Sequence, residues 1–121
     1  VDSRIDDWKI KIQDTIADNA SCGIFVLGEG SSSPEKFQMD KLEVIVHKNG
    51  EFLSSGLGSA VQGHPAEAVA WLANTLGEYD IPLLKGEFIL SGSLVPLEPA
   101  IAGDSFSLEL KGVGTCEINF I

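Results

Sequence analysis

The chain is poor in cysteine, histidine, basic residues and long apolar runs, and each shortage removes a class of protein. Two cysteines, Cys22 and Cys116, cannot make the dense disulfide framework on which small secreted domains depend. They read instead as reduced, half-buried thiols in a cytoplasmic protein. Eight Lys and Arg stand against eighteen Asp and Glu, a formal charge of −10. That balance disfavours nucleic-acid phosphates and anionic membrane surfaces alike. No apolar stretch approaches the roughly 18–20 residues of a membrane span, and the first residues lack the basic-then-apolar pattern of a secretory signal. An initiator methionine is also missing: Val1-Asp2-Ser3-Arg4-Ile5 opens inside a polar segment, as expected of a cut fragment or a processed product.

The same scarcity limits the chemistry. His47 and His64 have no second histidine or cysteine at ligand spacing, so neither reads as a zinc ligand. His47 is expected on the solvated side of a strand, and His64 just ahead of a helix. The acidic residues form no Asp/Glu cluster on one element with the character of a magnesium site. Gly56-Leu57-Gly58 and Gly63 precede a helix but lack the Gly-Lys-Ser/Thr of a phosphate loop. A backbone bending tightly into that helix accounts for them. Ser21 has no Gly-x-Ser-x-Gly setting, and neither histidine is an obvious partner for it.

What is present is apolar residue in quantity, 44% of 121 residues, enough to expect one domain over 1–121 with a sizeable interior. Trp8, Ile10 and Ile12 alternate with lysines, as in a strand or extended lead-in, and Thr15 to Ser21 suits a short helix. Ile24-Phe25-Val26-Leu27 reads as a buried strand, stopped by Gly28-Glu29-Gly30 and a Ser31-Ser32-Ser33-Pro34 loop. Leu42, Val44 and Val46 alternate with polar residues up to Asn49-Gly50, the dipeptide that favours a type I′ turn. Glu51 to Ser55 should therefore return antiparallel. Pro65 to Leu76 predicts a helix: proline at its first position, an apolar stripe of Val69, Leu72, Ala73 and Leu76, and Gly77 to end it. The remainder reads as β: Phe88-Ile89-Leu90, then Phe106, Leu108 and Leu110, then Cys116, Ile118 and Phe120, the last two runs paired with one face buried. The sum is an α+β chain, mostly β, with one long helix.

Two polar clusters have the composition of a ligand contact. Asp18-Asn19-Ala20-Ser21-Cys22-Gly23 lies between a predicted helix and a predicted strand, and Ser91-Gly92-Ser93 ends an apolar run. Small hydroxyl and amide groups there can orient an oxygen-rich ligand, although on composition alone ordinary capping and turn chemistry is the better explanation.

In order along nearly the whole chain, several segments resemble the 2-keto-4-pentenoate hydratase family of the fumarylacetoacetate hydrolase superfamily. They are Val1-Asp2-Ser3-Arg4-Ile5, Asp7-Trp8-Lys9-Ile10-Lys11, Ala17-Asp18-Asn19-Ala20-Ser21-Cys22-Gly23, Lys48-Asn49-Gly50, Ala68-Val69-Ala70-Trp71-Leu72-Ala73-Asn74-Thr75-Leu76-Gly77, Gly86-Glu87-Phe88-Ile89-Leu90-Ser91-Gly92-Ser93 and Ala102-Gly103-Asp104. The sister 4-oxalocrotonate decarboxylases share part of this wording, but Trp8 to Asp14 and Cys22-Gly23 favour the hydratases. The resemblance implies a β roll or sandwich of the superfamily's C-terminal type. It also implies hydration of 2-hydroxypenta-2,4-dienoate to 4-hydroxy-2-oxopentanoate, in the breakdown of aromatic compounds. Mg²⁺ or Mn²⁺ would stabilise enolate-like charge on the 2-oxo acid. Lys9 and Ser21 then match catalytic positions, and Asp18, Asn19, Ser91, Gly92 and Ser93 substrate-facing ones.

One departure stands out. The family's Glu-x-Glu metal ligands belong to an N-terminal half, and no Glu-x-Glu occurs here. This chain alone is therefore expected to bind Mg²⁺ weakly if at all and to have no measurable hydration activity. Homo-oligomerisation, or pairing with the missing half, is the expected partnership. The alternatives are a decarboxylase-like fragment, a split-enzyme subunit completed in trans, and a non-catalytic domain that binds a small ligand or partner.

Overall fold

Asn49 and Gly50 both adopt positive φ, 54° and 83°, as a type I′ turn demands. Around this turn a computed structural model, which describes residues 1–29 and 31–121, builds the first hairpin. Its strands are β1 (Glu43–Lys48) and β2 (Glu51–Leu57), paired antiparallel with a bulge between Val46 and His47. A second hairpin, β3 (Ser105–Leu110) and β4 (Gly114–Asn119), turns at Gly112, whose φ is +75°. β1 and β3 pair antiparallel, giving one four-stranded sheet in the order β2-β1-β3-β4. Register aligns the apolar residues on one face. Val46 lies opposite Leu108, Leu108 opposite Cys116, and Phe106 opposite Ile118. The alternation read in these runs is therefore the alternation of the sheet.

Two helices accompany the sheet, α1 (Ile12–Ala17) and the longer α2 (Pro65–Gly77). His64 caps α2, its Nδ1 accepting the Ala66 N–H at 3.1 Å. The helix buries Pro65 and Ala68, with Val69, Leu72 and Leu76 half-buried, whereas Ala73 of the expected stripe is exposed. Its length is as predicted, except that Gly77 lies within the last turn and Glu78 follows as the cap.

Several expectations need correction. Ile24–Leu27 is not a buried strand: it runs without regular structure, and all four side chains are exposed. Of the glycine stop after it, Gly30 lies outside the described residues. Phe88-Ile89-Leu90 is likewise exposed and unpaired. The lead-in at Trp8 is a 3-10 turn over Asp6–Trp8, and the short helix begins earlier than expected, at Ile12, with a separate 3-10 turn at Asn19–Ser21. β2 continues past Ser55 to Leu57.

The glycines before α2 serve a different purpose from the one expected. A Cβ on Gly56 would lie 1.9 Å from the Leu94 carbonyl oxygen, and one on Gly58 1.8 Å from that of Met39. Both are places where another stretch of backbone crosses closely, and only Gly63, at φ +82°, bends the chain.

The sizeable interior is also absent. Among the described residues the buried hydrophobic side chains are Val44, Val46, Val61 and Ala68. Most large apolar residues stay exposed, and the shared apolar face of β3 and β4 is only half-covered.

Candidate functional site

The apolar face of the sheet forms the floor of a cleft of about 810 Å³. Val46, Phe106, Leu108 and Cys116 line that floor, and residues 26–29 and 93–98 make the rim. Ser54 adds a buried hydroxyl with no hydrogen-bond partner among the described residues.

Of the residues singled out in sequence, Ser93 reaches this cleft, with its Oγ donating to the Val95 carbonyl. Gly92 beside it holds φ +131° with the Val61 side chain against it, a conformation that requires glycine. Ser91 is half-buried.

The second cluster is a tight turn. Asn19, Ala20 and Ser21 all have left-handed backbone, at φ 49°, 57° and 53°. That geometry costs roughly 1–2 kcal/mol per non-glycine residue and persists only where surrounding contacts enforce it. Those contacts are visible. The Ser21 N–H donates to the Asp18 carbonyl and the Cys22 N–H to that of Asn19, while the Asp2 N–H reaches the Ser21 carbonyl at 2.8 Å. Arg4 binds the turn from outside, its guanidinium 3.2 Å from Asp18 Oδ1 and donating to the Cys22 carbonyl at 2.8 Å.

Inside this strained turn Ser21 is 2% exposed, and its Oγ has no partner among the described residues. A buried hydroxyl left unsatisfied costs about 1–3 kcal/mol. Asp18 is engaged by Arg4, and Asn19 lies exposed beside it. Lys9 is 78% exposed at its side chain and pairs with Asp7 at 2.9 Å. The structure thus gathers Asp18, Asn19 and Ser21 into one turn, and Ser91, Gly92 and Ser93 into one segment. Among the described residues no hydrogen bond joins the two groups or brings Lys9 to either.

Two features escaped sequence reading. Arg4 clamps Asp18 across fourteen positions, which no local pattern reveals. A polar network around the buried Asp104 ties the two hairpins together. Asp104 accepts from Lys48 Nζ, Asn49 Nδ2 and the Ile101 N–H, each at 2.9 Å, and Asn49 Oδ1 accepts the Ser105 N–H at 2.8 Å. The hydrogen bond from Lys48, then those from Asn49 and the Ile101 N–H, hold the Asp104 carboxyl down to about 2, burial acting the other way. Lys48 also donates to the Pro99 carbonyl and lies 5.3 Å above the Phe106 ring centre. The ion pair links the β1–β2 turn to the start of β3, and its side chains are engaged with one another and with the Pro99 carbonyl and the Ile101 N–H.

Among the described residues, no three His, Cys, Asp or Glu side chains are placed to hold an ion together. The described donors therefore converge on no metal site of their own. Its described helices also include none long and apolar enough to cross a membrane.

Comparison with known proteins adds what the geometry cannot. The chain is 62% identical over 120 residues to 2-hydroxyhexa-2,4-dienoate hydratase of Comamonas testosteroni, covering 99% of this chain and 46% of that protein. It is 43% identical to 2-keto-4-pentenoate hydratase of Paraburkholderia xenovorans strain LB400, covering 99% and 45%. Among solved structures, 4-oxalocrotonate decarboxylase from Pseudomonas putida G7, complexed with magnesium and adipate, superposes with a TM-score of 0.94 at 36% identity. That match covers all of this chain and 46% of the decarboxylase. The chain therefore spans less than half the length of the relatives it matches. Residues 3–121 match the model of the fumarylacetoacetate hydrolase C-terminal domain, and with hydratases this similar over almost every residue, the chain belongs to the fumarylacetoacetate hydrolase family.

Proposed function

We propose that the chain supplies one wall of the active site of a hydratase acting on a 2-hydroxy-2,4-dienoate, within the breakdown of aromatic compounds. The observation that carries this reading is Ser21, a buried hydroxyl with no partner among the described residues, held in a strained turn inside the segment by which the chain resembles hydratases. Ser21 donates to an acid oxygen of the substrate or holds the attacking water. Asp18 positions that turn through Arg4, and Asn19 offers its amide beside it. Ser91, Gly92 and Ser93 shape the opposite wall. Lys9 takes up the substrate carboxylate by exchanging Asp7 for it.

The reaction needs a proton moved from the 2-hydroxyl to C5, then water added as hydroxyl at C4 and proton at C3. Each transfer calls for a positioned donor or acceptor. The carboxylates for a divalent cation, Mg²⁺ or Mn²⁺, belong on this reading to an N-terminal half outside these residues, so the chain by itself is inactive. The finished enzyme is an oligomer in the cytoplasm. A decarboxylase is the competing activity. Identity of 62% to a hydratase against 36% to the solved decarboxylase favours hydration.

The test is complementation. The chain is co-produced with the remaining part of the Comamonas testosteroni hydratase, and loss of dienoate absorbance is followed. Turnover that falls with Ser21→Ala in an intact complex supports the proposal. A complex that decarboxylates 4-oxalocrotonate without hydrating dienoates, or one indifferent to Ser21→Ala, overturns it.

A further inference from the structure

Two stretches behave against their composition. Ile24-Phe25-Val26-Leu27 and Phe88-Ile89-Leu90 are continuous apolar runs rich in β-branched and aromatic residues, the pattern of strands covered on both faces. In the structure they run without secondary structure and make no backbone hydrogen bond among the described residues. Ile24 is 72% exposed, Phe88 63% and Leu90 65%.

The two runs nevertheless have a defined place. The Phe25 and Phe88 rings touch, 5.5 Å between centres. Residue 28 lies so close to β4 that a Cβ on Gly28 would stand 2.7 Å from the Thr115 carbonyl oxygen, and residue 94 crosses β2 at Gly56. Together they begin a second layer over the sheet, with the 810 Å³ cleft beneath it.

We infer that this layer is an acceptor for β-strands: residues 24–27 and 88–90 become sheet when strands from the complementary half of a hydratase of this family add to them. Three observations choose that occupant. Covering these apolar runs would also bury their backbone groups, which would then require partners that the described residues do not supply. Apolar side chains on both faces of each run require cover from a packed domain. Finally, the solved decarboxylase superposes on the whole chain, these runs included, while more than doubling its length. The conformation is therefore that of a larger assembly, and the added polypeptide is the material available to pair with it. Strand addition supplies the missing hydrogen bonds and closes the cleft into a core. The inference rests on family membership and not on the catalytic proposal above.

Amide hydrogen exchange tests it. The chain is co-produced with the remaining part of the Comamonas testosteroni hydratase, purified through a tag on that part, and compared with the chain alone. Amides of residues 24–27 and 88–90 should exchange at least ten-fold more slowly in the complex, while those of the β1–β2 hairpin change little. Val26→Pro removes one backbone donor without touching any hydrogen bond of the free chain, and should weaken assembly at least ten-fold. Ser21→Ala should leave assembly intact, which separates failure of this inference from failure of the catalytic one. Failure of the two parts to co-purify, protection confined to other segments, or full assembly of the Val26→Pro variant would each overturn it. So would protection in the chain alone that rises with concentration, since a second copy would then be the occupant.

Discussion

Placing the same methyl group at Gly56 and at Gly77 should move stability in opposite directions. At Gly56 the new Cβ meets the Leu94 carbonyl oxygen at 1.9 Å. An unstrained contact needs that backbone to retreat by roughly 1 Å, and a main-chain oxygen has no rotamer by which to turn away. Overpacking of this kind costs typically 1–3 kcal/mol, and the rigid obstacle places Gly56→Ala near the top of that range, about 3 kcal/mol. Gly77 lies in the last turn of α2 with nothing within 4 Å of its would-be Cβ. There alanine restricts the unfolded chain and suits the helix, stabilising by about 0.5–1 kcal/mol. Urea unfolding followed by circular dichroism measures both. Should Gly56→Ala lie within about 0.5 kcal/mol of the parent, or should both variants shift the same way, the close backbone crossing at Leu94 is not real.

Other expectations are as direct. Asp104 has a depressed carboxyl, so its contribution to stability is present above the unfolded value of 3.8 and lost as pH falls through about 2. An acid melt should show this loss between those values, and Asp104→Asn should flatten it while lowering the melting temperature at neutral pH. Ser21→Ala removes a buried hydroxyl without a partner, and should leave the chain as stable or more stable by about 1 kcal/mol; marked destabilisation in urea would mean that the hydroxyl is satisfied after all. The chain alone should bind Mg²⁺ weakly at most, since its carboxylates do not converge. Tight stoichiometric binding in a calorimeter would contradict the placement of the ligands outside it. Exposed apolar side chains away from residues 24–27 and 88–90, Trp71 and Phe52 among them, should drive self-association that leaves those two runs unprotected, and a monomeric sedimentation profile at high concentration would count against this.

Local chemistry made much of the molecule legible. Asn49-Gly50 determines its turn because two adjacent positive φ angles are needed, a requirement met within two residues. α2 follows from proline at its start and apolar spacing within one segment. The alternation in Ser105–Leu110 and Gly114–Asn119 predicts which side chains share a face, because strand geometry leaves only two. Composition excluded phosphate binders and disulfide scaffolds on charge and cysteine count alone. The Ser21 turn was legible only as a candidate, since the same small polar residues serve caps and turns.

Tertiary structure decided the rest, wherever the deciding partner is distant in the chain or outside it. Asp104 is bound to Lys48 and Asn49 across more than fifty positions, and Arg4 to Asp18 across fourteen. Gly56 is glycine because Leu94 passes it, which no local pattern reports. Ile24–Leu27 and Phe88–Leu90 carry the composition of strands, yet composition supplies only half of a strand: the other half is a neighbour to receive its hydrogen bonds. Propensity resides in the residue, whereas pairing resides between segments, and that is where sequence reading stopped.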